Sequence, residues 1–153
     1  MTDLHAERRA WFRDHWQSEV AFNVHLGFEI LKWEPGRVLT RVPFDPRFTA
    51  HEGIFHGGLV ATLIDTTGSG AVISGHDYDL GTRLTTVSMT VNYMSVAQGE
   101  DILAEGICTR RGRSMNFARV EVTSVSGKLL AEGLLTVNIS GRRSGVPTGG
   151  VDR

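Results

Sequence analysis

The most regular hydrophobic pattern in the chain lies near its middle, between about residues 58 and 74. Apolar and small side chains recur there at helical spacing, which predicts one long helix. Its apolar side consists of Leu59, Val60, Leu63, Ile64, Thr67 and Ala71. The other side contains one charged residue, Asp65, among four small neighbours: Ala61, Thr62, Gly68 and Ser69. A solvated helix face usually carries Lys, Glu or Arg, so we expect this face to be approached closely by a ligand or another chain. Asp65 would otherwise cap a loop or pair with a surface arginine.

Six other segments have the length or the alternation of strands. They are residues 28–33, 37–43, 84–94, 101–109, 115–125 and 128–139. Short turns between neighbouring segments, such as Glu34-Pro35-Gly36 and Ser126-Gly127, favour antiparallel hairpins. Alternation is clearest in residues 84–94. There we expect Val87, Met89, Val91 and Tyr93 on one face, and Thr86, Ser88, Thr90 and Asn92 on the other.

The order of these elements predicts an α+β fold in which a curled antiparallel sheet wraps around one long central helix. Residues 1–23 are interpreted as an N-terminal helix, with Thr2 or Asp3 as its N-cap. Residues 24–139 form the predicted main domain, in which residues 48–55 are expected to be a loop. Residues 140–153 are rich in Gly, Arg and Ser and are expected to form a disordered tail.

Composition narrows the function classes without identifying one. The chain has 153 residues, 41% of them hydrophobic and 22% charged, as in an ordinary soluble domain. A net charge of -1 gives no support for a nucleic-acid or anionic-membrane surface. Cys108 is the single cysteine, so no internal disulfide is possible, and its strand context favours a small core residue. The first residues lack the apolar segment of a signal peptide, so a cytoplasmic protein is expected.

A glycine pair begins the central helix, and its spacing to the carboxylate is specific. His56-Gly57-Gly58 is followed by Asp65 seven residues after the second glycine. Further blocks follow in order: residues 91–95 (VNYMS), 99–101 (GED), 111–114 (RGRS) and 127–133 (GKLLAEG). The combined pattern, over about residues 26–139, resembles the hotdog-fold acyl-CoA thioesterases of the phenylacetate-pathway (PaaI) type and of the human thioesterase superfamily member 2 type.

This resemblance implies hydrolysis of an acyl-CoA thioester at a site formed between two subunits of a homodimer, with two dimers paired as a tetramer. The backbone amide of Gly57 would polarise the thioester carbonyl, where the helix N-terminus favours negative charge. Asp65 of the other chain would act as general base or as nucleophile. Thr86 would help to hold the attacking water. Coenzyme A would be part of the substrate, and no further cofactor is expected.

The resemblance also implies where coenzyme A would lie. Its expected contacts are Tyr93, Met94 and Ser95 together with the turn of Arg111, Gly112, Arg113 and Ser114, since cations and turn amides suit phosphate groups. Arg111 and Arg113 could equally be solvated hairpin charges. Gly58 is a further candidate binding residue. Ser69, one turn beyond Asp65 on the same helix face, either hydrogen-bonds substrate or is merely small for packing. His56 is a candidate catalytic group, although a structural role at the start of the helix is favoured.

One position departs from the family pattern. Relatives often have an Asn six residues before the histidine, where its amide contacts the thioester oxygen, and this chain has Ala50. Either His51 substitutes, or the Gly57 amide acts alone. The departure motivates an alternative, a non-catalytic acyl-CoA-binding hotdog protein. A hydratase is ranked last, because the next histidine after Asp65 is His76. The spacing of His51, Glu52 and His56 is not that of a metal site, so no metal is expected.

Overall fold

The structure, a computed structural model, describes residues 3–148. Its α-helices are α1 (Leu4–Ser18), α2 (Ala21–His25) and α3 (Gly57–Ser74). Its strands are β1 (Glu29–Glu34), β2 (Arg37–Val42), β3 (Thr49–His51), β4 (Ile54–Phe55), β5 (Arg83–Tyr93), β6 (Ile102–Arg111), β7 (Met115–Ser124) and β8 (Leu129–Ser140). None of the helices described in residues 3–148 is long and apolar enough to cross a membrane.

The main sheet has six antiparallel strands in the order β1-β2-β6-β7-β8-β5, and α3 contacts all six. Leu63 and Ile64 of α3 are fully buried against the sheet. The approach is close because β8 has glycine beneath the helix: a Cβ on Gly133 would lie 2.4 Å from Ile64 Cγ2. The predicted α+β fold, a sheet wrapped around a central helix, is therefore confirmed.

The N-terminal segment differs from the single helix predicted to residue 23. Asp3 is the N-cap, since its side chain accepts a hydrogen bond from the His5 amide at 3.0 Å, whereas Thr2 lies outside the described residues. The helix α1 ends where the amides of Glu19 and Val20 both bond to the His15 carbonyl. Val20 then takes an extended conformation before α2 begins. After this break Asn23 of α2 is buried, and its Nδ2 donates to the Trp16 carbonyl at 2.8 Å and to the Thr66 hydroxyl at 3.0 Å.

The segment predicted as a loop at residues 48–55 contains regular structure. A 3₁₀ turn at Pro46–Phe48 leads into a small hairpin of β3 and β4. The His56 amide then bonds to the Phe48 carbonyl at 2.8 Å, which closes the segment just before α3. The loop prediction was wrong because these strands are too short to show alternation in sequence.

A β-bulge changes the predicted faces of β5. Thr86 pairs with Val137 and Ser88 with Thr136, so Val87 is left between them and is 55% exposed. Beyond the bulge Met89 pairs with Leu135, which is buried beneath α3 as Val137 is. Thr86 consequently lies on the helix-facing side together with Met89, although strict alternation placed them on opposite faces.

The segment after β8 is packed where a disordered tail from residue 140 was expected. Ser140 is the last residue of β8, and Val146 is only 7% exposed. Arg8 of α1 donates from Nε to the Pro147 carbonyl at 2.8 Å. The composition predicts the irregular backbone of residues 141–148 but not these contacts with the N-terminal helix. Residues 149–153 of the predicted tail lie outside the described part of the chain.

Candidate active site

The N-terminus of α3 leaves one backbone amide available. His56 is the N-cap, and its Nδ1 accepts a hydrogen bond from the Gly58 amide at 2.8 Å. The His56 carbonyl accepts from the amides of Leu59 and Val60. The Gly57 amide has no acceptor among residues 3–148. An unpaired amide at the positive end of a long helix is suited to bind a developing oxyanion.

A side chain would have different consequences at Gly57 and at Gly58. A Cβ on Gly58 would lie 2.9 Å from His56 Nδ1, so a side chain there would disturb the cap. A Cβ on Gly57 would meet the Tyr93 ring at an ordinary 3.5 Å. Tyr93 also donates its hydroxyl hydrogen to the Gly57 carbonyl at 2.7 Å, which holds this first turn in position. His56 thus has the structural role of a cap, and its ring nitrogen Nδ1 is occupied by it.

Asp65 lies two helical turns further along α3 and is paired with Thr86. The Thr86 hydroxyl donates to Asp65 Oδ1 at 2.7 Å, a contact made possible by the bulge at Val87. Both residues line a cavity of about 270 Å³, and so does Ser69, which is 4% exposed. The structure therefore brings together three of the predicted site residues, a carboxylate and two hydroxyls.

Gly57 and Asp65 belong to different cavities of the same chain. Gly57 lines a separate cavity of about 210 Å³, with Ala50, His51, Tyr93 and Ser95 in its wall. Eight residues of α-helix separate Gly57 from Asp65, a rise of about 12 Å. Reacting groups must lie roughly 3 Å from the atoms on which they act. One chain alone therefore cannot apply the Gly57 amide and the Asp65 carboxylate to a single carbonyl group.

Comparison with known proteins agrees with this architecture. The sequence profile described as "Thioesterase superfamily" matches residues 52–131, more than half of the chain. The chain belongs to the thioesterase superfamily. Human acyl-coenzyme A thioesterase 13 is 33% identical over 107 residues, which cover 69% of this chain and 74% of the human protein. The prediction of an acyl-CoA thioesterase type is thus confirmed at the level of the family.

Two solved structures show the same fold at useful sequence identity. Zebrafish thioesterase superfamily member 2 is 30% identical, with a TM-score of 0.72 over 86% of this chain and 95% of that chain. A Streptococcus mutans protein, solved bound to acetyl-CoA, is 26% identical, with a TM-score of 0.67 over 76% of this chain and 90% of its own. The superfamily profile covers the Gly57 amide, Asp65 and Thr86, and ends within β8.

The residues predicted to contact coenzyme A form two separate groups in this thioesterase-superfamily chain. Tyr93 and Ser95 line the Gly57 cavity, and Met94 beside them is exposed. The turn at 111–114 lies beside the other end of β5. The Ser114 carbonyl accepts a hydrogen bond from the Ile139 amide, and Ile139 is the residue of β8 that pairs with Leu84 at the start of β5. Leu84 and Tyr93 are nine residues apart on one strand, roughly 30 Å. The two groups of predicted contacts therefore lie at opposite ends of β5.

Within that turn the two arginines differ. Arg111 donates from Nη1 to the Val72 carbonyl at 2.8 Å, so its guanidinium satisfies the C-terminal end of α3. Arg113 is exposed and has no ion pair with any of residues 3–148. The Gly112 amide is also used internally, by Asn116 Oδ1 at 3.2 Å. Of the four residues, Arg113 and Ser114 have exposed side chains without a hydrogen-bond partner among residues 3–148, and Arg113 is the one of these two that carries a charge for a phosphate group.

Two alternative chemistries gain no support from the geometry. His76, the partner a hydratase would need, is 3% exposed and lies past the C-terminal end of α3. Nine helical residues, about 14 Å of rise, separate Asp65 from the end of α3 at Ser74. Burial raises the pKa of the Cys108 thiol, which is the behaviour of a packed side chain and not of a nucleophile.

Residues outside the recognised pattern complete the Asp65 cavity. Trp16 and Phe22, from the N-terminal helices, form part of its wall, and Arg143 comes from the segment after β8. Arg143 belongs to the expected tail, and no periodicity or motif marks these three positions as neighbours of Asp65. They are found only because α1 packs on α3, where Trp16 Nε1 donates to the Thr66 carbonyl at 2.9 Å.

Proposed function

We propose that this protein hydrolyses acyl-CoA thioesters at sites that two copies of the chain build together. The Gly57 amide of one chain binds the thioester oxygen, and the Asp65 carboxylate of the other takes a proton from water. The water oxygen attacks the carbonyl carbon, and negative charge develops on the oxygen held by Gly57. The C–S bond then breaks, and the proton held by Asp65 passes to the leaving sulfur, which gives the carboxylic acid and the coenzyme A thiol and restores the Asp65 carboxylate. Every step uses water and side chains or amides of the chain itself.

One observation supports the proposal above all: the free Gly57 amide and the Asp65–Thr86 pair lie two turns apart on one face of α3. Ala61 lies midway between Gly57 and Asp65, four residues from each. If the α3 helices of two copies cross in antiparallel fashion near Ala61, Gly57 of one copy faces the partner subunit's Asp65. Small side chains at this crossing permit the close approach. The strand β5 is at the edge of the sheet and has unpaired backbone groups for the same partner.

The proposed dimer also brings the predicted coenzyme A contacts together. Antiparallel pairing of two β5 edges places the Tyr93 end of one strand beside the Arg83 end of the other. The turn with Arg113 lies at that second end, so it would complete the binding surface from the other chain. The outer face of the sheet exposes Phe117 and Leu134, which is where we propose that two dimers pair as a tetramer. We further propose a cytoplasmic location for this assembly.

Thr86 has two roles available in this reaction. Its hydroxyl donates to Asp65 Oδ1, which leaves Oδ2 as the oxygen free to take a proton from water. The same carboxylate could instead attack the carbonyl directly, in which case Thr86 orients the nucleophile. We propose the general-base route because it requires no rearrangement of the Thr86 contact. At Ala50 no side-chain amide is available, so the Gly57 amide is the proposed oxyanion donor.

The first test is Asp65→Asn, assayed by release of free thiol from a panel of aromatic and straight-chain acyl-CoAs. Loss of the base should lower kcat by about 10²- to 10⁴-fold, while the ligand-dependent rise in Tm with coenzyme A persists. Asp14→Asn, on the exposed surface of α1, is the matched control and should retain wild-type turnover. Turnover near the wild-type value in Asp65→Asn would refute the mechanism. Ligand-induced stabilisation without thiol release by the wild type would identify the alternative, an acyl-CoA-binding protein.

The shared site has its own test in Gly57→Pro. Proline at the first helical position is well tolerated and removes only the amide hydrogen that the proposal uses. Gly57→Ala, which keeps that hydrogen, is the control for shape. Co-expression of Gly57→Pro with Asp65→Asn should restore about a quarter of wild-type activity, because half the dimers then contain one intact site of two. No recovery in purified mixed dimers would show that each site belongs to one chain.

A further inference from the structure

The cavity beside Asp65 has a second wall that lies outside the thioesterase profile. The profile ends at residue 131, whereas Arg143 follows β8 and His15 belongs to α1. Both line the cavity that contains Asp65 and Thr86. The wall on this side therefore lies outside the segment that the superfamily profile matches.

Arg143 is held in place at both its backbone and its side chain. Its amide donates to the hydroxyl of Thr82, a buried residue, at 2.8 Å. Its Nη2 donates to His15 Nε2, also at 2.8 Å. Arg143 is exposed, and these two contacts hold its guanidinium at the wall of the cavity.

His15 is itself fixed as an acceptor for Arg143. Its ring stacks on Trp11 with centroids 4.8 Å apart and planes 8° from parallel. Because Nε2 accepts from Arg143, the ring proton belongs on Nδ1, which lies 3.2 Å from Glu19 Oε2 and can donate to it. Trp11 and Glu19 therefore fix the orientation of the His15 imidazole, and the imidazole in turn orients the guanidinium of Arg143.

The cation of Arg143 is not neutralised within the described chain. No carboxylate among residues 3–148 forms an ion pair with it, and its other guanidinium N–H groups have no acceptor there. Much of the surrounding wall is apolar, from Trp16, Phe22 and Leu84. A fixed, unpaired guanidinium at an apolar cavity is a site for a bound anion, best a planar carboxylate.

We propose that Arg143 recognises a carboxylate at the far end of the acyl group, so that the preferred substrates are CoA thioesters of dicarboxylic acids. This inference rests on the proposed function and adds a substrate class to it. A phosphate of coenzyme A has the same charge and could also pair with Arg143. The acyl group is favoured because Arg143 shares its cavity with Asp65 and Thr86, the groups assigned to the carbonyl carbon. Arg143 and His15 are specificity and positioning residues respectively.

The test compares kcat/KM for matched acyl-CoA pairs that differ only in a terminal carboxylate, such as adipoyl-CoA and hexanoyl-CoA, over chain lengths of about four to eight carbons. The wild type should prefer the carboxylate-bearing partner at its best length by roughly tenfold or more, the value of a charge-assisted hydrogen bond. Arg143→Gln should abolish the preference by lowering kcat/KM for adipoyl-CoA by about tenfold more than for hexanoyl-CoA. Arg142→Gln removes the neighbouring charge, which does not line the cavity, and should keep the preference.

His15→Phe keeps a ring for stacking on Trp11 but removes the acceptor for Arg143. It should weaken the preference severalfold by lowering kcat/KM for adipoyl-CoA more than for hexanoyl-CoA. If His15 had only a structural role, His15→Phe would lower kcat/KM for adipoyl-CoA and for hexanoyl-CoA by the same factor. An equal loss for both substrates in Arg143→Gln, with weaker inhibition by free coenzyme A, would assign Arg143 to a coenzyme A phosphate and overturn the proposal.

Binding measurements separate this inference from the hydrolytic function. S-hexyl-CoA and S-(5-carboxypentyl)-CoA are thioethers that cannot be hydrolysed, and each is titrated calorimetrically. Tighter binding of the carboxylated thioether by the wild type, lost in Arg143→Gln, supports the inference even if no acyl-CoA is hydrolysed. Equal affinity of the wild type for both thioethers, together with equal kcat/KM across all pairs, would refute it while leaving the thioesterase proposal intact.

Discussion

His76 should make the stability of this protein depend steeply on mildly acidic pH. The imidazole is 3% exposed, and neither ring nitrogen has a hydrogen-bond partner among the described residues. Burial lowers the pKa of His76 from 6.5 to about 4, and the nearby cation of Arg111 acts in the same direction, whereas Asp77 opposes it. The folded state therefore holds this ring neutral at pH values where the unfolded chain protonates it.

The sign and size follow from proton linkage. Between pH 6.5 and 4 the unfolded state binds more protons than the folded state, so the free energy of unfolding falls as the pH falls. The contribution of His76 is complete above pH 6.5 and is lost progressively as the pH drops to about 4. The full difference in pKa corresponds to about 3 kcal/mol, and the part lost between pH 7 and pH 5 is about 2 kcal/mol. That is a large share of the stability of an ordinary domain.

The assay is urea unfolding of the wild type and His76→Phe at pH 7 and pH 5, at one protein concentration because the proposed association would contribute to stability. His76→Phe keeps a planar ring and should lose about 2 kcal/mol less than the wild type between the two pH values. His25→Phe, which removes an exposed histidine of α2, should behave as the wild type does. Equal pH dependence in the wild type and His76→Phe would refute the assignment of a neutral, buried imidazole.

Three further predictions concern the site and its supports. Thr86→Val should lower kcat about tenfold or more because Asp65 loses its hydrogen-bond donor, whereas Thr86→Ser should retain most activity; steady-state kinetics compare them. Gly58→Ala should lower the free energy of unfolding by about 1 kcal/mol through the His56 cap, a fall in Tm of a few degrees by calorimetry. Arg111→Gln should lower Tm without changing KM, since its guanidinium binds a helix carbonyl. Arg113→Gln should raise KM severalfold without changing Tm. A raised KM in Arg111→Gln together with a lowered Tm in Arg113→Gln would contradict both assignments.

Much of the fold could be predicted because its elements are long and regularly patterned. The helix α3 has a continuous apolar face, and its predicted start lies one residue from the observed Gly57. The carboxylate of Asp65 stood out because the rest of its face is small and uncharged. Gly68 was placed on that same face, which was wrong: a Cβ there would lie 2.7 Å from Leu135 of the sheet. A small residue is compatible with either face of a helix, so its residue type does not predict whether it faces the sheet or the opposite side.

The pairing of Thr86 with Asp65 could not be derived from alternation. A strict period of two places Thr86 on the face opposite Met89, and only the extra residue at Val87 turns it toward α3. Resemblance to the family selected Thr86 as a residue that helps to hold the attacking water, and nothing in the sequence predicted its hydrogen bond to Asp65. The bulge makes that hydrogen bond possible, but it depends on how β5 pairs with β8 and leaves no local mark.

Local spacing along the chain was enough to predict the central helix, the strand segments and the lone carboxylate of Asp65 on a face of small residues, whereas the roles of the Gly57 amide and of Asp65 came from resemblance to the family. Tertiary structure decided which groups meet. It brings Thr86 to Asp65, closes the Asp65 cavity with α1, and brings Arg143 to that cavity from beyond β8. These contacts join residues far apart in sequence, and their geometry depends on packing between whole elements. Local propensity cannot encode that packing.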